Sequence, residues 1–297
     1  MVNVRLDDAA WLQLLRLRAT DPGAVAKAWA ERVRRPLLGR DGRLFLLAAD
    51  HPARGALGVG KDPLAMADRR SLLGRLTAAL RHPRVDGVLA SPDVLDELVL
   101  LGALDGKLAF GSLNRGGLAG AAWELDDPLT GHDPRAVVEH GLDGGKMLLR
   151  LDLGDRDSRA TLAACAGWVS ELARAGVPAM IEPLPYRRGA DGALELDRSE
   201  AALVRAVTVA AGLGVSSAWT WLKLPAWPST PAACAASTLP ALVLGGMPSG
   251  DLATDLAAWR EALRLPTVRG LVVGRALLYP PDGDVPAAVR AAAEVMA

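Results

Sequence analysis

The chain has 297 residues, 51% of them hydrophobic, so it can bury a sizeable core. Its 34 basic and 34 acidic residues include no basic block, which argues against a nucleic-acid-binding surface.

The two cysteines, Cys165 and Cys234, cannot form a disulfide framework and fit a reducing cytoplasm. Acidic residues near the N-terminus argue against a signal peptide. The uncharged stretch from Leu224 to Gly250 holds five prolines, which favours strands and loops over a membrane span.

Helical and strand-like patterns follow one another along the chain. Residues 1–40 form an N-terminal segment in which the spacing of Leu, Ala and Trp predicts one or two helices. Short apolar runs then predict eight strands, at 43–50, 85–91, 107–114, 144–152, 177–186, 218–225, 240–246 and 268–277. Helical patterns occupy 67–81, 94–101, 158–175, 199–213, 251–263 and 285–296. The segment 115–144 fits a long loop or short hairpin followed by a helix.

Strands that alternate with helices indicate a parallel sheet covered on both faces, and the strands here are apolar throughout. Eight of them in under 300 residues fit an α/β fold, a (β/α)8 TIM barrel with an N-terminal helical extension. We expect one domain spanning 1–297. A doubly wound sheet is the alternative, but it would usually need fewer strands.

Lysine is rare in this sequence, at five of the 34 basic residues, so each lysine in an apolar strand is informative. Lys223 lies in "TWLKLPAW", between Trp221 and Trp227. Burial among these neighbours favours the neutral amine, which can attack a carbonyl and form a Schiff base. Arginine cannot do this. The alternative is a lysine that extends to the barrel rim or pairs with a carboxylate.

Other charged residues stand at the ends of predicted strands, where barrels of this kind place their active sites. Lys146 alternates with Arg150, so both would point into the barrel if that face does. Glu182 could carry a proton during carbon–carbon bond cleavage, and Asp50 could orient a substrate hydroxyl or a lysine. Ion pairing among these residues is the structural alternative. His51 fits an ordinary turn.

The last two strands end in glycines, at Gly245, Gly246 and Gly274. Barrels often bind phosphate on backbone N–H groups in these positions, and Arg275 could add a charged clamp. Asn114 and Arg115, at the end of the third strand, and Arg150 on the fourth are further candidate residues for binding the substrate or its phosphate. The four histidines lack metal-ligand spacing, and no nucleotide-binding motif appears, so we predict no metal and no cofactor.

Five landmarks in chain order carry a family resemblance: "AADHPARG", "GGKMLLR", "IEPL", "LKLP" and "VVGRAL". The chain resembles the class I, lysine-dependent aldolases of (β/α)8 fold, which include deoxyribose-phosphate, archaeal-type fructose-bisphosphate and tagatose-bisphosphate aldolases, and is most similar to the last branch. The resemblance implies Lys223 as the Schiff-base lysine, assisted by Lys146, Glu182 and Asp50. It also implies Gly274 and Arg275 as phosphate ligands.

Two features depart from the tagatose-bisphosphate branch. "VLGGM" has glycine where that branch usually has a serine that binds phosphate. The stretch "GSLNRGGLAGAAWELDDPLTGHD" is instead similar to a set of aldolase-like barrel proteins from actinobacteria, associated with inositol and sugar breakdown. That similarity implies a small-molecule sugar phosphate, 5-dehydro-2-deoxy-6-phosphogluconate, cleaved to dihydroxyacetone phosphate and malonate semialdehyde.

Two other functions fit the same barrel. The site could serve a sugar-phosphate isomerase or dehydratase, which releases no triose, or it could bind a sugar phosphate without turnover. Barrels of this kind often associate, and the Trp-bearing N-terminal helix is a candidate contact between copies.

Overall fold

The computed structural model describes residues 4–190 and 192–296 of the chain. Its strands are β1 (Leu44–Ala49), β2 (Gly87–Ala90), β3 (Leu108–Ser112), β4 (Gly144–Leu151), β5 (Ala179–Arg188), β6 (Leu194–Leu196), β7 (Thr220–Pro225), β8 (Ala241–Leu244) and β9 (Val268–Val273). Its helices are α1 (Asp8–Thr20), α2 (Gly23–Glu31), α3 (Arg69–Leu80), α4 (Pro92–Leu100), α5 (Pro134–Glu139), α6 (Asp157–Ala175), α7 (Glu200–Ala211), α8 (Thr230–Ala235), α9 (Leu252–Ala262), α10 (Arg275–Leu278) and α11 (Val285–Val295).

The strands close into a barrel, as the sequence predicts. They are ordered β4-β3-β2-β1-β9-β8-β7-β5, and β4 also pairs with β5, which joins the two ends of the sheet. All eight of these strands are parallel to their neighbours. Helices surround them, so the fold is a (β/α)8 TIM barrel. Its strand ends therefore converge at one face, where the charged residues singled out above should meet.

The core has two layers, which follow from the two-residue period of each strand. On β1, Leu44, Leu46 and Ala48 point into the barrel, where they pack with residues such as Phe110 and Trp221. The alternate residues of β1 point outward into the larger layer between strands and helices. The same alternation sends Lys223 inward beside Trp221, since the two residues are two positions apart.

The N-terminal segment closes the end of the barrel where the strands begin. Arg32 forms a buried ion pair with Asp143, at 3.2 Å, and Asp143 also accepts a hydrogen bond from the backbone N–H of Ala109. Leu37 packs against the inner core layer. The strands finish at the opposite end of the barrel, where the larger cavity lies.

Some elements differ from those predicted. β5 runs two residues past the predicted end at Tyr186 and forms an antiparallel hairpin with β6, which the sequence did not predict because β6 is only three residues long. The predicted strand 268–277 ends at Val273, because Gly274 departs from extended geometry and α10 starts at Arg275.

The segment after β3 has the predicted organisation of a long irregular stretch followed by a helix. A single bridge between Asn114 and Leu129 closes the irregular stretch on itself, and α5 follows. Within the described ranges, no helix combines the length and the hydropathy needed to cross a membrane.

Candidate active site

The carboxyl ends of the barrel strands enclose a cavity of about 610 Å³. Its apolar lining comes from the inward faces of several strands and from the loops beyond them, and includes Leu148, Leu184, Trp227, Leu244, Trp259 and Val272. Charged residues lie among these: Asp50, Arg54, Arg115, Lys146, Glu182, Arg198, Lys223, Asp255 and Arg275. Apolar walls around a few converging charges are typical of small-molecule sites.

Two lysines converge on one carboxylate oxygen in this cavity. Nζ of Lys223 lies 3.0 Å from Oε2 of Glu182, and Nζ of Lys146 lies 2.6 Å from the same atom. The lysine side chains are 3% and 1% exposed, so their charges are largely removed from water. The structure thus brings together Lys223, Lys146 and Glu182 from three different strands, β7, β4 and β5.

Asp50 follows β1 and joins the same cluster through one of its oxygens. Its Oδ2 accepts a hydrogen bond from Ser112 Oγ at 3.0 Å and from Lys146 Nζ at 3.1 Å. Arg115 Nη1 lies 3.2 Å from that oxygen. Lys146 therefore bridges the two carboxylates, and the charges alternate from Lys223 through Glu182 and Lys146 to Asp50.

The charge states of the cluster follow from burial and from these neighbours. Burial opposes ionisation of Asp50 and Glu182, but the nearby cations outweigh it and hold the pKa of each carboxyl well below its usual range. Burial and the positive charge of Arg115 lower the pKa of Lys146 to about 8. The two carboxylates are thus anionic near neutral pH, and Lys146 titrates close to it.

The glycines predicted to bind phosphate also line the cavity, together with Arg275. A Cβ on Gly274 would lie 2.2 Å from the backbone oxygen of Ala48, so only glycine fits there. Gly246 has a φ of 63°, in the left-handed region that favours glycine. Arg275 donates a hydrogen bond to the backbone oxygen of Gly246, at 3.2 Å, and thereby joins the two loops. Gly245 lies beside Gly246 in the first of them.

Asn114 and Arg150 lie outside the cavity lining and instead hold the segment that follows β3. Asn114 exchanges hydrogen bonds with the backbone N–H and oxygen of Leu148, both at 2.7 Å. Arg150, fully buried, pairs with Glu124 at 2.7 Å and with Asp127 at 3.0 Å. The two-residue alternation along β4 predicts only the face on which Arg150 lies. It could not predict the ion-pair partners of Arg150, because they belong to an irregular loop.

Several cavity residues were absent from the candidates named from sequence, and three of them are polar side chains on or near β1, β5 and β6. Arg54 lies in the turn after β1, Tyr186 lies on β5, and Arg198 follows β6 with its guanidinium 5.6 Å from the ring centre of Trp227. The "HPARG" turn follows β1 directly, so Arg54 could have been named as a cavity residue from the sequence. The position of Arg198 follows from a hairpin that the sequence did not predict. Among the described residues, no group of three or more His, Cys, Asp or Glu side chains is arranged to hold a metal ion.

Known proteins share this architecture. A family model described as Cgl0159-like matches residues 42–293. The crystal structure of Cgl0159 from Corynebacterium glutamicum is 46% identical over 98% of both chains, with a TM-score of 0.94. An archaeal fructose-1,6-bisphosphate aldolase, solved with its catalytic lysine bound to the carbinolamine intermediate, is 17% identical over 92% of this chain and 99% of its own, with a TM-score of 0.64.

The fructose-bisphosphate aldolase from Slackia heliotrinireducens is 16% identical over 98% of this chain and 86% of its own, with a TM-score of 0.62. At such identities the two aldolases show a shared barrel fold. No curated protein matches the sequence.

Proposed function

The chain belongs to the Cgl0159-like family, and we propose that it is a class I aldolase that cleaves a phosphorylated keto-sugar acid. One observation carries the proposal: the amines of Lys223 and Lys146 converge on Oε2 of Glu182 inside a cavity that has room for a sugar phosphate. A buried amine beside a carboxylate and a second cation has the neighbours that Schiff-base chemistry needs. Several solved aldolases of the same fold, including one described as Schiff-base forming, support this class of chemistry.

In this mechanism Lys223 is the nucleophile. Its neutral amine attacks the ketone carbon, and loss of water from the carbinolamine leaves a protonated imine. Glu182 then takes the proton from the hydroxyl on the carbon that leaves as an aldehyde. The carbon–carbon bond breaks, and its electron pair moves towards the imine nitrogen to give an enamine. Protonation of the enamine carbon and hydrolysis release dihydroxyacetone phosphate and restore Lys223.

The neighbouring charges have supporting roles. Lys146 lies between Glu182 and Asp50 and holds the two carboxylates in place beside Lys223. Asp50 positions the half of the substrate that forms the imine. The phosphate binds the backbone N–H groups around Gly245, Gly246 and Gly274, with the Arg275 guanidinium beside them.

The charge of the cavity supports a substrate with two anionic groups. Apart from the nucleophile Lys223, five basic side chains among the described residues line it, against three acidic ones, Asp50, Glu182 and Asp255. An excess of positive charge favours an anionic ligand. We propose 5-dehydro-2-deoxy-6-phosphogluconate, which has a phosphate at one end and a carboxylate at the other. Cleavage between the first and second carbons from its ketone, on the carboxylate side, yields dihydroxyacetone phosphate and malonate semialdehyde.

Borohydride trapping tests the proposal directly. The protein is incubated with dihydroxyacetone phosphate and reduced, and the adduct is located by intact and peptide mass. We expect one triose-phosphate adduct on Lys223, lost in Lys223→Met and kept in Lys27→Met, whose lysine is largely exposed on α2. Incubation with the keto-sugar acid should release dihydroxyacetone phosphate.

The remaining outcomes separate the alternatives. An adduct on Lys146 would keep the aldolase class but exchange the roles of the two lysines. Binding of dihydroxyacetone phosphate without an adduct on either lysine would contradict the proposal. It would favour an isomerase, a dehydratase or a non-catalytic barrel, and only the first two would turn over a keto-sugar phosphate.

A further inference from the structure

Arg198 brings a positive charge to the cavity without an ion-pair partner among the described residues. It follows β6, lines the cavity and is exposed to solvent. The recorded contact of its guanidinium is with the ring of Trp227, 5.6 Å from the ring centre. The nearby carboxylate of Glu195 pairs with Arg187 instead, at 3.5 Å. The guanidinium of Arg198 can therefore bind an anionic ligand without first breaking an ion pair.

The other lysine and arginine side chains of the cavity are already engaged. Each contacts a carboxylate or a backbone oxygen: Lys146 and Lys223 with Glu182, Arg54 with Glu124, Arg115 with Asp50, and Arg275 with the backbone oxygen of Gly246. Within the part of the chain that the structure describes, Arg198 is thus the cavity cation most available to a ligand.

The β5–β6 hairpin sets the position of Arg198 relative to Glu182. Side chains at Glu182, Leu184 and Tyr186 share one face of β5 by its two-residue period, and all three line the cavity. Tyr186 pairs with Leu196 on the antiparallel β6, and a further backbone hydrogen bond of 3.0 Å continues the register. This register places Arg198 level with Leu184, about 7 Å beyond Glu182 along the strand direction.

The order of the strands matches the order of groups on the proposed substrate. The sheet runs β9-β8-β7-β5-β6 along this side of the barrel. It presents the glycines and Arg275 after β8 and β9, then Lys223 on β7, Glu182 on β5 and Arg198 after β6. In a phosphorylated keto-sugar acid the phosphate, the ketone, the hydroxyl that loses its proton and the carboxylate follow in the same order. Arg198 therefore faces the end of the ligand farthest from the phosphate.

A carboxylate suits this position better than other end groups. A guanidinium binds a carboxylate through two parallel hydrogen bonds, whereas it would repel an ammonium group. The apolar surfaces of Leu184, Leu196 and Trp227 line the cavity around Arg198. Such surfaces displace water and thereby strengthen the attraction between opposite charges.

We propose that Arg198, held against Trp227, binds the carboxylate of the substrate and makes the site specific for a keto-sugar acid. Arg198 is a specificity-determining residue in this account and takes no part in cleavage of the carbon–carbon bond. The inference rests on the proposed function for the order of groups on the ligand. It assigns a role to an arginine that the β5–β6 hairpin brings into the cavity.

Equilibrium binding tests the subsite apart from imine chemistry. Lys223→Met serves as the parent, so that no imine forms. Calorimetry gives the dissociation constants of 5-dehydro-2-deoxy-6-phosphogluconate and of its C1 amide, which has nearly the same size but no charge at that end. We expect the parent to bind the acid about 10- to 100-fold more tightly than the amide, because hydrogen bonds between two charged groups are the stronger ones.

Variants of the arginine assign the preference to Arg198. Arg198→Gln, made in the same parent, should bring the ratio of the two constants close to 1. Arg198→Lys keeps the charge but loses the two parallel hydrogen bonds, so it should keep part of the preference. Arg205→Gln is the matched control, since Arg205 is exposed on α7 outside the cavity lining, and it should leave the ratio unchanged.

The outcomes distinguish this subsite from the aldolase proposal. Equal affinities in the parent, an unchanged ratio in Arg198→Gln, or an equal loss of affinity for both ligands would overturn the subsite even if trapping on Lys223 succeeds. A preference that Arg198→Gln abolishes, without any trapping in the unmodified chain, would support the subsite and overturn the aldolase. Failure of the acid to bind would overturn the subsite. Tighter binding of fructose 1,6-bisphosphate than of the acid, lost in Arg198→Gln, would overturn the assignment to a carboxylate in favour of a second phosphate.

Discussion

Glu182 occupies the central position in the charged cluster, because a single oxygen serves both lysines. With Lys146 at 2.6 Å and Lys223 at 3.0 Å, its carboxylate is held in one orientation and kept anionic. A carboxylate fixed beside the nucleophile is placed to move protons for it. An ion-pair network with no catalytic role would have the same contacts. The function of Glu182 is therefore tested with a variant that removes the charge but keeps the shape of the side chain.

Glu182→Gln removes the charge and keeps the size of the side chain. We expect it to lower the rate of carbon–carbon cleavage by about 100- to 10,000-fold, because no base remains for the substrate hydroxyl. Borohydride adducts on Lys223 should still form. The rate of triose phosphate release and the adduct yield are measured on the same preparations, with the surface variant Glu139→Gln as a control.

Cleavage near the parent rate in Glu182→Gln would show that another group carries the proton. Loss of both adduct and cleavage in a folded variant would instead assign Glu182 to formation of the imine.

At the residue scale, the sequence predicted some of the side chains that meet in the cavity and misplaced others. Lys223, Lys146 and Glu182 were predictable, because strand ends of a parallel barrel converge and the alternation along each strand gives the direction of its side chains. Arg150 has the same alternation as Lys146, yet it contacts Glu124 and Asp127. Those partners lie on an irregular loop, whose path no periodicity describes.

At the scale of elements, the segment between β3 and α5 contributes Arg115 and Ala119 to the wall of the cavity, and buried Arg150 helps to hold it in place. Arg150 pairs with Glu124 and Asp127 and donates to the backbone oxygen of Gly117, at 3.0 Å. Glu124 also pairs with Arg54, which lines the cavity, so the wall continues into the turn after β1. The order of this loop therefore depends on Arg150.

Arg150→Met should destabilise the protein by about 3 kcal/mol, because it leaves Asp127 buried without its cation. The double variant Arg150→Met/Asp127→Asn should recover a large part of that loss, since asparagine is neutral and can still accept from the N–H of Gly117. Urea unfolding gives the free energies, and limited proteolysis reports whether cleavage within 115–131 increases.

If the double variant is no more stable than Arg150→Met, the buried charge is not the cause of the loss. Unchanged stability in Arg150→Met would show that the loop does not depend on this pair.

Strands and helices were predictable from the sequence where their apolar spacing was long and regular. The barrel strands and the longer helices lie within a few residues of the ranges expected from their apolar spacing. The β5–β6 hairpin was not predicted, because β6 has only three residues, too few for its Leu-Glu-Leu alternation to stand out from a loop. Arg198 was missed with it.

At the scale of the whole molecule, the barrel depends on close approach between neighbouring strands. Gly270 on β9 pairs with Leu44 on β1, and its φ of 141° is a conformation that other residues rarely adopt. A Cβ there would lie 1.8 Å from the backbone oxygen of Leu44. The contact joins β1, which leads to Asp50, to β9, which leads to Gly274 and Arg275, the residues proposed to bind phosphate. It therefore also affects the geometry of the site.

Gly270→Ala should therefore be among the most damaging small substitutions in the chain. Because the obstructing atom belongs to the backbone of the adjacent strand, the strands would have to separate, and we expect a loss of more than about 4 kcal/mol of unfolding free energy. Gly167→Ala is the matched control: Gly167 is exposed on α6, and a Cβ there meets nothing within 4 Å. That change should stabilise the protein by about 0.5–1 kcal/mol, since alanine favours a helix. Urea unfolding compares the two variants with the parent, and a Gly270→Ala protein within about 1 kcal/mol of the parent would show that β1 and β9 can move apart without loss of the barrel.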